Sequence, residues 1–263
     1  MGRLEMTDMG DVSRVLSMNV ARDRKEGTIT INQKDYTEDI VQRYGMRGCN
    51  PAYTPGVGPE LSRDNSEEYF SNEEGKRRNR PITRADIYFA QPTKAHMGAA
   101  KHLLRYLAGS TDFSITYKQR DFKLATFSDA NCKANLDNGN STSSYIILLF
   151  NGPISFKVGI QGLTAQFTMG AELVAEVFIM KEAVFCTNMM LGLGFKEGFG
   201  NVPLYIDNIS ALDVAGNRTY SPRAKHIALR YFFVQELVKE DKITIYFVKT
   251  QDQIADLGTK HTN

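Results

Sequence analysis

Four carboxylates in the second half of the chain stand where chemistry could be done. Asp129 comes at the end of an apolar run over Lys123–Ser128. Glu172 falls in the first turns of a long helical segment, Asp207 follows the run VPLYI at 202–206, and Asp256 lies in the last helical stretch. Each has a plain structural reading. Asp129, ahead of an Asn/Asp/Gly-rich stretch, is a good turn former. Brought to one end of a sheet, however, the four would repel one another unless cations neutralised them. Carboxylate oxygens are hard ligands that suit Mg²⁺, which keeps several waters and shares a phosphate oxygen with its substrate. Two such ions about 4 Å apart activate a water and stabilise the leaving 3′-oxygen of a phosphodiester. Acids at strand ends also arise by chance, so spacing leaves both readings open and makes convergence a requirement on the fold.

The elements that must position these acids follow from periodicity. Alternation at Leu16, Met18 and Val20, a charged turn at 21–27 ending on Gly27, and TITIN at 28–32 predict a hairpin. Tyr36, Ile40, Val41 and Tyr44 are spaced as a helix over 35–44, and residues 50–80, rich in Pro, Gly and charge, read as a linker. Thr93–Leu107 is an amphipathic helix with Met97, Ala100, Leu103, Leu104 and Leu107 on one face and Lys94, Lys101 and Arg105 on the other. That basic face is a solvated surface or a rail along a nucleic-acid backbone. His96 and His102 lie on the same helix without acids or cysteines at metal spacing.

Beyond Gly109, strands at 113–117, 123–128, 142–150 and 154–158 are expected as one consecutive meander. A helix over 169–193 follows, its apolar face read as Ala171, Val174, Ala175, Phe178, Phe185 and Met189. Then come a strand at 202–206, a helix at 224–239, a strand at 243–248 and a helix at 252–260 with Asp252 as its N-cap.

Composition sets the frame. The chain has 263 residues, 42% hydrophobic and 24% charged, with a net charge of +2. At so small a net charge, any basic footprint must be local. Cys49, Cys132 and Cys186 are odd in number and form no CxxC pair, which suits a reducing compartment. No apolar run reaches the roughly 18 residues of a membrane span, and the N-terminus has neither a signal-peptide core nor a myristoylation pattern. The expectation is a soluble protein of the cytoplasm or nucleus.

Six blocks carry a family resemblance: FSDAN (127–131), STSSYIILLFNGPISF (141–156), AEL-A (171–175), LYIDN-SA (204–211), RAKHIALRYFFVQELV (223–238) and VKTQDQIADLGTK (248–260). They resemble, in order, the ribonuclease H region of copia-type LTR retrotransposon polyproteins. Upstream, residues 5–46 look like the far end of that family's reverse transcriptase, and TKAHMGAAKHLLRYLAGS like the connection that follows. The resemblance implies a ribonuclease H-like α/β fold, a mixed sheet with flanking helices, preceded by a smaller α+β remnant of the polymerase. The corresponding division is 1–62, 63–112 and 113–263. It implies hydrolysis of RNA in RNA–DNA hybrids with two Mg²⁺ ions, Mn²⁺ being a substitute. Asp129, Glu172 and Asp207 match the first three catalytic acids, and Asp256 matches the fourth, with Asp252 as the alternative. His226 is weighted towards packing or substrate contact. Under this resemblance Lys94, Lys101 and Arg105 become part of the hybrid track.

The chain also departs from the pattern. It has no paired-Asp polymerase motif, and its connection is short ahead of RPITRADI. Asn131, Cys132 and Gly170 replace the usual Asp, Trp and Glu. No polymerase activity is expected, and a remnant that binds nucleic acid without cleaving it is the competing reading.

Overall fold

A computed structural model describes residues 10–56, 93–119, 123–131, 140–161, 168–195, 198–208 and 225–259; the side chains of 168–172, 174 and 225–231 lie outside that description. Most of the linker, its basic run Lys76–Arg80, Cys132 and the side chain of His226 therefore fall outside the described residues.

The N-terminal strands β1 (Arg14–Val15), β2 (Met18–Asp23) and β3 (Thr28–Asn32) form an antiparallel meander. Gly27 takes the positive φ of 64° that the charged turn needs, a conformation open to glycine at little cost. The preceding hairpin turns on Leu16 and Ser17, both at positive φ, which their residue types do not announce. Helix α1 (Lys34–Arg43) follows, and later α2 (Lys94–Gly109). α2 opens on a reciprocal cap. The Thr93 backbone N–H donates to His96 Nδ1 at 3.0 Å, and the His96 N–H donates to Thr93 Oγ1 at 3.4 Å. His96 is thus a buried capping residue. His102 Nε2 meets the Thr54 carbonyl at 2.8 Å, so it fastens the segment after α1 onto α2.

Strand β4 (Ser114–Lys118) corrects the expected meander. It does not lead into the second sheet but closes the first, pairing with β3 through Ile29↔Tyr117 and Ile31↔Ile115. Alternation identifies a strand and its faces; it carries no information about which sheet edge the strand joins.

The second sheet holds β5 (Ala125–Asn131), β6 (Thr142–Leu149), β7 (Gly152–Ile160), β8 (Val202–Ile206) and β9 (Ile243–Phe247) in the order β7-β6-β5-β8-β9. β5, β6 and β7 are antiparallel neighbours, whereas β8 runs parallel to both β5 and β9. Helix α3 (Thr168–Gly192) precedes β8 and α4 (Lys225–Lys239) precedes β9, as parallel pairing requires of its crossovers. This is a mixed α/β sheet with flanking helices, the architecture that the resemblance implies. One continuous core lies between sheet and helices, including Ile147, Leu149, Ile179, Met180, Leu204, Ile206, Val234 and Ile243. Among the described residues, no helix is long and apolar enough to cross a membrane.

The face of α3 differs from expectation. Ala175 is buried as expected and the side chains of Ala171 and Val174 lie outside the description, but Phe178, Phe185 and Met189 are exposed, and the buried stripe runs through Leu173, Glu176, Ile179, Met180, Ala183, Cys186 and Met190. The segment is apolar nearly all round, so periodicity could not choose its face. Lys157 Nζ lies 5.6 Å from the Phe178 ring centroid, which gives that exposed ring a cation as neighbour. The expected C-terminal helix is instead two short 3-10 turns, Thr250–Asp252 and Ile254–Gly258.

Candidate metal centre at the end of the second sheet

The acid positions follow from strand geometry. β5 and β8 are parallel neighbours, and their last paired residues are Phe127 and Tyr205, whose rings stack with centroids 4.9 Å apart. Asp129 and Asp207 each lie two residues further on. Side chains alternate with a period of two, so both acids return to the face that carries the Phe127 and Tyr205 rings. β8 ends at Ile206 and frees Asp207 at the strand's carboxyl end.

The third acid arrives from the C-terminal segment. After β9 the chain crosses the end of β8, where the Val248 N–H donates to the Ile206 carbonyl at 2.8 Å. The turn Ile254–Gly258 then lies over β5 and β6, with Gly258 also beside Val158 of β7. A Cβ on Gly258 would fall 2.8 Å from the Ser144 Cβ. Glycine, with no Cβ, permits this close approach. Asp256 is carried on that turn. Asp129, Asp207 and Asp256 each offer a carboxylate oxygen, and these oxygens lie within 4.8 Å of one another. Asp129 is buried, and the other two are half-buried.

Neighbouring groups orient the carboxylates. Thr250 Oγ1 donates to Asp207 Oδ2 at 2.9 Å, and Thr259 Oγ1 donates to Asp129 Oδ2. Asn131 Nδ2 donates to the Thr259 carbonyl at 3.1 Å. Gln253, on the same segment, reaches the backbone of both β5 and β8. Sequence reasoning assigned none of these four a part in the site. The signal for three of them lay in the block TQDQIADLGTK, where the acids drew the attention and the amide and hydroxyls did not. Asp252 is exposed on the first 3-10 turn and stays outside the cluster, whereas Asp256 is inside it.

Glu172 lies in the second turn of α3, which packs against β5 and β6, and its side chain is outside the description. Lys94 and Lys101 are exposed on α2. Arg105 is engaged: its Nε donates to the Asn50 carbonyl at 2.6 Å, and its own carbonyl accepts from the Ala52 N–H at 3.2 Å. It ties down the chain after α1, so the basic face is partly a structural fastening.

Three close carboxylates form a donor set of hard oxygens, which fits a small divalent cation. Their mutual repulsion is relieved when a cation or a proton sits among them.

No family model matches the chain. It is 27% identical over 278 aligned positions to the retrovirus-related Pol polyprotein from transposon TNT 1-94 of Nicotiana tabacum, covering 97% of this chain and 21% of that one. It is 30% identical over 246 positions to the corresponding polyprotein from transposon RE2 of Arabidopsis thaliana, covering 88% and 17%. Among solved structures, the N-terminal RNase H domain of a Mycobacterium tuberculosis protein aligns with 52% of the chain and 91% of its own, at 14% identity and a TM-score of 0.39. The chain spans about a fifth of the length of these two curated relatives. Over most of its length the chain is thus similar to a segment of copia-type retrovirus-related Pol polyproteins.

Proposed function

We propose that residues 123–259 form a ribonuclease H-type nuclease that hydrolyses the RNA strand of RNA–DNA hybrids. One observation carries the reading: Asp129, Asp207 and Asp256 come from three separate elements and meet within 4.8 Å at the carboxyl ends of parallel strands. Ligand sites favour that end of an α/β sheet. Similarity to retrovirus-related Pol polyproteins supports a polynucleotide as the substrate class.

In this reading Asp129, Asp207 and Asp256 hold Mg²⁺, or Mn²⁺ in its place, and Glu172 is offered from the start of α3 as a fourth ligand. Two bound ions supply a nucleophilic hydroxide from water and charge stabilisation for the leaving 3′-oxygen. The chain's own work is positional. The strand ends fix two carboxylates at the spacing of neighbouring strands, and Thr250 and Thr259 each hold one carboxylate oxygen. The exposed lysines Lys94 and Lys101 are the proposed contacts to the hybrid backbone, with Arg105 contributing less because of its bond to Asn50. Action in the cytoplasm or nucleus is part of the same proposal.

The test is cleavage of an end-labelled RNA–DNA hybrid on a gel with Mg²⁺. The expected result is RNA-strand cleavage that EDTA abolishes and that Asp129→Asn and Asp207→Asn each lower by at least ~100-fold. Absence of cleavage by folded protein, or undiminished cleavage by both variants, defeats the proposal.

A further inference from the structure

We propose that Gln253 is the positioning residue that holds the three acid-bearing elements in register, an inference that rests on reading the acid cluster as a metal site. β5 and β8 pair through Thr126↔Leu204 and Phe127↔Tyr205, and the pairing goes no further. Past that point β5 continues alongside β6 and β8 alongside β9, so the two strands part in a fork just before Asp129 and Asp207. Carbonyls at such a fork lose ladder donors, and a buried carbonyl without a donor is costly.

Gln253 fills the fork. Its Nε2 donates to the Ser128 carbonyl at 3.0 Å and to the Tyr205 carbonyl at 3.4 Å, one on each strand. Its Oε1 accepts the Ala255 N–H at 3.2 Å and so caps the turn that carries Asp256. Two carbonyl acceptors and one N–H donor leave the amide a single orientation. The residue is 4% exposed, so these bonds are made away from competing water.

One side chain therefore ties the residue before Asp129, the residue two before Asp207, and the turn holding Asp256. Thr250 and Thr259, on either side of it in sequence, adjust individual carboxylates. Gln253 sets where the three backbones stand relative to one another. It touches no reacting atom in this scheme, and its effect passes through the acids.

The experiment is Mn²⁺ titration of the full chain, following the electron paramagnetic resonance signal of free Mn²⁺, with melting curves on the same samples. Gln253→Met keeps the length and removes the donor. Val202→Ala, at the other end of β8, serves as a control for general destabilisation. The proposal expects Gln253→Met to fold and to bind Mn²⁺ ~10–100-fold more weakly, the range for groups that orient metal ligands. It expects Val202→Ala to melt earlier with its Mn²⁺ affinity unchanged. Should Gln253→Met not fold, Gln253→Asn, which keeps the donor but falls short of the span, is expected to fold and show the same weakening. Wild-type affinity in folded Gln253→Met overturns the proposal while leaving the metal site standing. Failure of both variants to fold overturns it by making Gln253 a support of the fold itself. Absence of Mn²⁺ binding by the wild type, matched by Asp129→Asn, brings down the metal site and this inference together.

Discussion

The two sheets are built from the same alternating strands, yet they bury their side chains very differently. In β1 to β4 no residue is fully buried, and the buried apolar groups of that region, Val41, Ala52, Met97, Ala100 and Leu104, come from α1, α2 and the segment fastened between them. In the second sheet the strands themselves supply Ile147, Leu149, Leu204, Ile206 and Ile243 to one core shared with α3 and α4. Three of the four proposed ligands sit on or beside elements of that core. Site geometry and global stability are therefore coupled in the second sheet. The first sheet meets it along a narrow seam, where Tyr117 Oη donates to the Pro153 carbonyl at 2.7 Å and the Lys118 N–H donates to the Phe150 carbonyl at 3.0 Å.

The contrast is broken most directly by cutting a side chain from each sheet's region. Ile179→Ala, at a fully buried position of α3, is expected to cost about 2–5 kcal/mol in urea denaturation. Ile29→Ala, at a 37% exposed position of β3, is expected to cost about 1 kcal/mol or less. Similar losses at both positions would mean the first sheet has a core of comparable weight.

A pH series sharpens the same point from within the second core. Glu176 is 1% exposed on the buried stripe of α3, and its Oε1 has no hydrogen-bond partner among the described residues. Burial pushes its carboxyl from the ordinary 4.5 up to about 7, because a low-dielectric setting disfavours the charged form. Between those values the folded protein keeps a proton that the unfolded chain has lost. The stability this group contributes is therefore fullest below pH 4.5 and declines as pH rises towards 7. Above that it is lower by roughly 3 kcal/mol. Denaturation midpoints at pH 5 and pH 8 should show this decline in the wild type. Glu176→Gln should flatten it, and an unchanged slope in the variant would assign the effect elsewhere.

Smaller effects are expected at the seam and on α2. Tyr117→Phe removes one hydrogen bond between the sheets and should cost about 1 kcal/mol, read by thermal melting. Lys101→Ala should reduce the salt dependence of hybrid binding by about one phosphate contact, measured from the slope of log affinity against log salt. A slope that stays unchanged would make the basic face of α2 a solvated surface.

Much of this was legible in the residues. The strands, the long helices and the acids at strand ends follow from periodicity, and the six sequence blocks point to the family. What stayed hidden depends on contacts between distant residues. β4 was expected in one meander with β5 but joins β3 in the first sheet, because its alternation suits either edge. The buried face of α3 was misread because Phe178 and Phe185 look like core, while Glu176 looks like surface. Leu16 and Ser17 form a hairpin turn without the usual Gly or Asn. The C-terminal segment, expected as a helix capped by Asp252, is held by Gln253, whose partners lie on β5 and β8. Asp129, taken alone, read first as a turn residue; it lies instead within β5 opposite Ser144, and its proximity to Asp207 and Asp256 supports the proposed ligand role.

That proximity is the claim most open to direct test. In crystals grown with Mn²⁺, an anomalous difference peak is predicted between Asp129, Asp207 and Asp256, with carboxylate oxygens of all three about 2.0–2.3 Å from it. Ordered carboxylates in those positions at saturating Mn²⁺, with no peak among them, would contradict the account.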